Sequence, residues 1–99
     1  MITEQAILTI DIETATEFER AISEAEAILQ RATGYLGSDL TRCIEDPAVY
    51  RLQVRWLTLE DHTVHFREDG LDEWRGIVVP FVVGSDVRHF APVGTSDAG

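Results

Sequence analysis

Between Tyr50 and Trp56 every second side chain is apolar: Tyr50, Leu52, Val54 and Trp56 alternate with Arg51, Gln53 and Arg55. A period of two is the repeat of an extended strand, so this segment belongs in a sheet with one apolar face and one basic, polar face. Helical spacing would instead scatter the apolar residues around the whole circumference. One two-faced strand is not stable alone, and the remaining chain must supply neighbours for its edges and a cover for its apolar side.

The neighbours are readable. From Ile2 to Ile12, Ile2, Ala6, Leu8, Ile10 and Ile12 fall on one side and Thr3, Gln5, Thr9 and Asp11 mostly on the other, which predicts a half-buried first strand. A second strand is expected from Tyr35 to Ile44, with Glu45-Asp46-Pro47 turning into the third, Val49 to Leu57, as a hairpin. Val87, His89, Ala91 and Val93 against Arg88 and Phe90 predict a fourth. The cover comes from two helical stretches. Thr14 with Glu17 forms a capping-box pattern, Phe18, Ala21, Ile22, Ala25, Ile28, Leu29 and Ala32 recur at helical spacing, and Gly34 stops the run. Thr58 with Asp61 caps a second helix carrying His62, His65 and Phe66 as far as Asp69-Gly70. Leu71, Trp74, Ile77, Val78 and Phe81 continue it, with Gly76 and Pro80 expected to limit or bend it. The order βαββαβ is that of an α+β domain with a four-stranded antiparallel sheet and both helices on one face. One domain is expected over residues 1–93, followed by a small, polar and disordered tail over 94–99.

Charge narrows the partners. Acidic residues number 18 and basic ones 8, a net charge of −10, and every base is Arg because the chain lacks Lys. Nucleic acid and anionic membrane surfaces both need a basic patch, so neither is an expected partner. The absence of Lys also excludes Schiff-base chemistry on the chain. A single cysteine, Cys43, excludes an internal disulfide and a CxxC motif. No apolar run approaches a membrane span, and the first residues lack a signal-peptide pattern, so a cytoplasmic protein is expected.

With the helices on the Leu8, Ile10, Leu52, Val54 and Trp56 face, Gln5, Ile7, Thr9, Arg51, Gln53 and Arg55 face away from them. That face either meets water or packs on a second copy about a two-fold axis, where Arg and Gln could pair across the junction. For chemistry the candidates are few. His62 and His65, three apart on a helix, would fall on nearly one face. A metal there would need a third ligand from Glu68, Asp61 or His89, and no HExxH pattern is present, so no metal is expected. No GxGxxG, P-loop or GxSxG occurs, which leaves nucleotide, flavin and serine-hydrolase chemistry without support.

The run Trp56 to His62, continuing through His65 to Arg67, resembles the strand-to-helix signature of the antibiotic biosynthesis monooxygenase family. There a Trp ends the third strand and His residues follow six and nine positions later. Gly34-Tyr35-Leu36-Gly37, Glu45-Asp46-Pro47, Glu73-Trp74-Arg75 and Pro80-Phe81 are similar to the same family's second strand, hairpin turn and last helix. The resemblance covers approximately residues 2–93 and implies a ferredoxin-like domain that dimerises sheet to sheet into an α+β barrel. The homodimer would form through the face bearing Arg51, Gln53 and Arg55. Haem-degrading members carry an axial His, and the corresponding positions here are Gly76 and Phe66, so haem is not expected. Some polyketide-oxidising members carry an Asn where this chain has Leu52.

The resemblance implies a monooxygenase that uses no cofactor and oxidises a phenolic, quinol or anthrone-type aromatic with O2. Its cavity would lie between helices and sheet, lined by Leu8, Leu52, Val54, Phe66, Trp74 and Phe81, with Trp56 packing the substrate ring. His65 would be the base, His62 its assistant, and Arg75 the group that stabilises the developing oxyanion. The alternative is a non-catalytic homodimer of the same fold that binds a small molecule or fills the space with side chains. Cavity volume discriminates between the two, against the ~300 Å³ of a small ligand pocket.

Overall fold

The computed structural model describes residues 1–94; apart from Gly94, the expected tail lies outside the described residues. Four strands form one antiparallel sheet: β1 (Ile2–Ile10), β2 (Tyr35–Arg42), β3 (Val49–Trp56) and β4 (Val82–Phe90), in the spatial order β2-β3-β1-β4. Between β1 and β2 a 3-10 turn, Ile12–Thr14, leads into α1 (Ala15–Gln30). Between β3 and β4 the chain runs through a π-helical segment, Asp61–Phe66, then α2 (Arg67–Asp69), α3 (Leu71–Val78) and a 3-10 turn, Val79–Phe81. This is the βαββαβ order and α+β class expected from the periodicities.

The alternation of β3 is reproduced in its burial: Tyr50, Leu52, Val54 and Trp56 are buried, while Arg51 is exposed and Gln53 and Arg55 are half-buried. β1 lies beside it, from Ile2 opposite Trp56 to Thr9 opposite Val49, and pairs on its other edge with β4. The amphipathic stripe of α1 delivers Phe18, Ala25, Ile28 and Leu29 onto Ala6, Leu8, Ile10, Leu52 and Val54, and α3 adds Val78. Phe18 seals this core against Tyr50 at 4.8 Å between ring centroids and against Phe81 at 6.3 Å.

Three local expectations need correcting. Thr14 does not cap α1 with its side chain. The Asp11 carboxylate accepts from the Glu13 N–H instead, and the Thr14 hydroxyl donates to the Asp11 carbonyl, because the chain enters the helix through a 3-10 turn. Gly76 does not interrupt its helix; it sits exposed inside α3, and the helix tightens only beyond Val78, where Pro80 lies in the 3-10 turn. The fourth strand begins at Val82 and ends at Phe90, so Ala91 and Val93 lie past it. Its early half carries Gly84 and Ser85, and β4 is an edge strand lying mostly exposed, with Val83 72% accessible. Such a strand lacks the alternating apolar signal from which strands are read.

Candidate active site

The register of β1 builds the site. Glu4 stands opposite Val54 on one side and His89 on the other, on the helix-facing side of the sheet and in phase with Ala6 and Leu8. A carboxylate on an apolar face needs partners, since an isolated buried charge is costly. Trp56 Nε1 donates to Glu4 Oε1 at 3.0 Å, and His62 Nε2 lies 3.3 Å from the same oxygen. The other nitrogen of that ring, His62 Nδ1, is 2.7 Å from His89 Nε2. His62 also stacks on Trp56, with centroids 5.5 Å apart and planes inclined by 23°. Four residues from β1, β3, the π-helical segment and β4 therefore form one connected polar cluster, Trp56–Glu4–His62–His89.

The segment that carries His62 is held by its first residue. Thr58 N–H donates to Asp61 Oδ2 at 3.1 Å and Asp61 N–H to Thr58 Oγ1 at 3.2 Å, the reciprocal capping pattern expected from the sequence. Asp61 is buried against Gly34, whose φ of +78° suits glycine and whose carbonyl accepts from Leu57 N–H at 2.8 Å. Beyond Asp61 the helix winds wide, and a π-helix turns less per residue than an α-helix. Residues three apart, neighbours on an α-helix, are splayed.

His65 consequently does not share a face with His62. Its Nδ1 is 2.9 Å from Asp61 Oδ1, its side chain is 49% exposed, and it lines none of the cavities that His62 borders. His62, by contrast, faces inward with 16% exposure. The expected common face of His62 and His65 rested on α-helical spacing, and in the wide helix His62 borders the cavity while His65 does not.

A cleft of about 310 Å³ lies between β1, β4 and α3, lined by Glu4, Ala6, Leu8, His62, Leu71, Trp74, Arg75, Val78, Val79, Val82, Ser85 and Val87. Its wall is apolar except for Glu4, His62, Arg75 and Ser85. A deeper recess of about 30 Å³ brings in Leu29, Leu52, Val54 and Phe66. Of the residues expected to line the cavity, Leu8, Leu52, Val54, Phe66 and Trp74 do so. Phe81 instead packs against Phe18, and Trp56, with no exposure, lines neither space but backs His62 and Glu4. Arg75 is on the cleft wall and forms no ion pair among the described residues.

Burial works against charge on both groups at the centre. Burial, and then the neighbouring His89, lowers His62 from 6.5 to about 4, so it is neutral at physiological pH. Burial raises Glu4 above the ordinary glutamate value of 4.5, against a smaller opposing pull from the Trp56 hydrogen bond. Glu4 Oε2 has no hydrogen-bond partner among the described residues, yet no buried side-chain nitrogen or oxygen there is unpaired. Oε2 therefore keeps accessible surface, and Glu4 is the carboxylate on the cleft wall. Among the described residues no three His, Cys, Asp or Glu side chains converge as metal ligands would.

Glu4 was not among the candidates drawn from the sequence, although the signal was present. It occupies an apolar-phase position of β1, between Ile2 and Ala6, where a carboxylate has to be either paired or functional.

The model of the antibiotic biosynthesis monooxygenase family matches residues 1–76. The chain belongs to the antibiotic biosynthesis monooxygenase family. The uncharacterized protein YczJ of Bacillus subtilis (strain 168) is 37% identical over 95 residues, covering 94% of this chain and all of YczJ. A Bordetella bronchiseptica protein of the antibiotic biosynthesis monooxygenase class superposes with a TM-score of 0.88 at 33% identity, over 93% of this chain and 96% of that one. SnoaB of Streptomyces nogalater, a cofactor-independent oxygenase, shares the fold with a TM-score of 0.84 at 17% identity, over 97% of this chain and 96% of its own. The match to the family model ends inside α3, just after Arg75, so Glu4, Trp56, His62, Trp74 and Arg75 all fall within it.

Proposed function

We propose that this family member is a cofactor-independent monooxygenase that oxidises a phenolic, quinol or anthrone-type aromatic with O2. The observation that carries the reading is a largely apolar cleft of about 310 Å³ whose wall holds one half-buried carboxylate, Glu4, beside the neutral His62. For an anthrone the balance closes without an external reductant. Loss of a proton gives a delocalised anion, and electron transfer from it to O2 leaves a substrate radical and superoxide. Recombination at carbon forms a peroxide, and loss of water leaves the quinone, with one oxygen atom in the product and the other in water.

The chain's residues serve the proton and the charge. Glu4 accepts the substrate proton; the apolar wall raises its basicity, and Trp56 fixes its position. With His62 in the tautomer that donates Nδ1–H to His89, its Nε2 can receive that proton from Glu4, and exposed His89 passes it to solvent. Arg75, on the cleft wall and without an ion pair among the described residues, stabilises the oxyanion. His65 stays outside this path. Oxygen uptake with a panel of quinols and anthrones tests the proposal: turnover of at least one compound is expected, and His65→Ala should match the wild-type rate. No uptake with any compound would reject oxygenase activity, and a large loss in His65→Ala would return the base to that residue.

The second reading, a ligand-binding homodimer without catalysis, draws on His62, whose ring nitrogens both lie within hydrogen-bonding distance of protein groups. Saturable binding of panel compounds without oxygen uptake would select it.

We further infer that the open sheet face pairs with that of a second copy. Arg55 of β3 and Asp39 of β2, diagonal neighbours across the two strands, bond at 2.8 Å, and Gln53 reaches its register partner Gln5 at 3.5 Å, which leaves Arg51 without an ion pair among the described residues. A face of paired polar groups with spare Arg suits a polar two-fold junction. Sedimentation should give a dimer for the wild type and a monomer for Arg51→Glu/Arg55→Glu; a monomeric wild type would end this inference. No helix among the described residues is long and apolar enough to cross a membrane.

A further inference from the structure

Two cavities lie over the sheet, and one side chain separates them. The 310 Å³ cleft opens on the β4 side; a second, of about 210 Å³, lies toward β2, with Ser23 of α1 and Leu40 of β2 among its walls. Trp74 of α3 is the one residue that lines both. The 30 Å³ recess between them is bounded by Trp74 again, by Leu29 and Leu52, which also line the smaller cavity, and by Leu71, which also lines the larger. The indole thus stands as a partition in a space that runs from β4 to β2 under the helices.

Nothing polar pins that partition. The Trp74 indole N–H has no hydrogen-bond partner among the described residues, and since no buried side-chain nitrogen there is unpaired, it keeps accessible surface. The side chain is only half-buried, unlike Trp56, which is fully enclosed and bonded to Glu4. The other recess walls are apolar, Phe66 among them, except for Glu4 and His62, which also line the larger cleft.

We propose that Trp74 sets the size of the aromatic molecule this site accepts: with the indole in place a compact ring system fills the β4-side cleft alone, and without it the two chambers join. The proposal rests on the cleft being the ligand site but not on oxygen chemistry. It deepens the assignment above by naming the substrate class as compact fused-ring aromatics rather than extended ones.

Two neutral fluorescent dyes test it, chosen without charge because the chain carries −10. N-phenyl-1-naphthylamine is the compact probe and Nile red the extended one, titrated into full-length wild type, Trp74→Ala, Trp74→Phe and Trp74→Ala/Ser23→Phe. Trp74→Ala should bind Nile red about tenfold more tightly, an effect the size of a few newly buried methylenes, and the compact dye less tightly, because that dye loses the indole from its cleft wall. Trp74→Phe should fall between, which keeps the test available where the alanine variant does not fold. Ser23→Phe, placed in the smaller chamber, should remove the gain. An unchanged ratio of the two affinities, a gain that survives Ser23→Phe, or no binding of either dye would overturn the proposal. Absence of oxygen uptake alongside the expected dye pattern would reject the oxygenase reading and leave the partition standing.

Discussion

Glu4→Gln is expected to lower kcat/KM for oxygen-dependent oxidation by ~10²–10⁴, the usual contribution of a positioned proton acceptor. Glutamine has the same shape as glutamate, and its amide oxygen can still accept the Trp56 indole N–H that Glu4 Oε1 accepts at 3.0 Å. It cannot take a proton. Thermal unfolding should change little, which separates loss of chemistry from loss of fold. A rate within about threefold of wild type would remove Glu4 from the mechanism, because a general base contributes far more than that.

The same substitution carries a pH signature. Only the carboxylate form of Glu4 accepts the proton, and burial holds its pKa above 4.5, so activity should rise with pH through that elevated value. His62, lowered to about 4, is already neutral across that limb and does not define it. The sign for stability is opposite. A carboxyl whose folded pKa is raised contributes stability that is present at low pH and diminishes as pH climbs through the folded value. The cleft therefore gains activity over the interval in which Glu4 ceases to stabilise the fold, and Glu4→Gln should flatten both profiles.

Gly34→Ala should be the most damaging single methyl group in the chain. Gly34 has φ +78°, where an L side chain alone costs about 1–2 kcal/mol. A Cβ there would also overlap the Asp61 carboxylate, so the total should reach roughly 3 kcal/mol, lowering the midpoint of thermal unfolding by about 12–24 °C. Asp61 also caps the segment that presents His62, so displacing it should disturb the cleft in whatever fraction still folds. Gly76 is the internal control. It lies in α3 with nothing within 4 Å of an added Cβ, and Gly76→Ala should stabilise by about 0.5–1 kcal/mol. Equal melting temperatures for Gly34→Ala and wild type would show that Asp61 can move aside freely.

Much of the architecture was legible in the chain because its elements announce themselves locally. The period of two in Tyr50–Trp56 and the α1 stripe from Phe18 to Leu29 both survive into the observed core. Less legible were places where tertiary packing overrides local pattern. β4 is an edge strand with most of its length exposed, so the start of the strand at Val82 left no alternating trace. The capping pair at Thr58 and Asp61 was correctly readable, whereas the width of the helix that follows was not. The wide segment begins at Asp61, which sits in a niche that exists because Gly34, twenty-seven residues earlier, has no side chain.

What the sequence by itself determined is therefore the class of fold, the two faces of the sheet and the family resemblance, since each follows from repeats and motifs within short stretches. Which side chains share the cleft was decided by tertiary structure alone. Strand register puts Glu4 opposite His89, the wide helix turns His62 inward and His65 outward, and helix packing leaves Trp74 between two chambers. The physical reason is range. Hydrophobic periodicity acts between neighbours a few residues apart, while the electrostatics and shape of a site depend on groups brought together from β1, β3, the π-helical segment and β4, whose spacing along the chain carries no record of their distance in space.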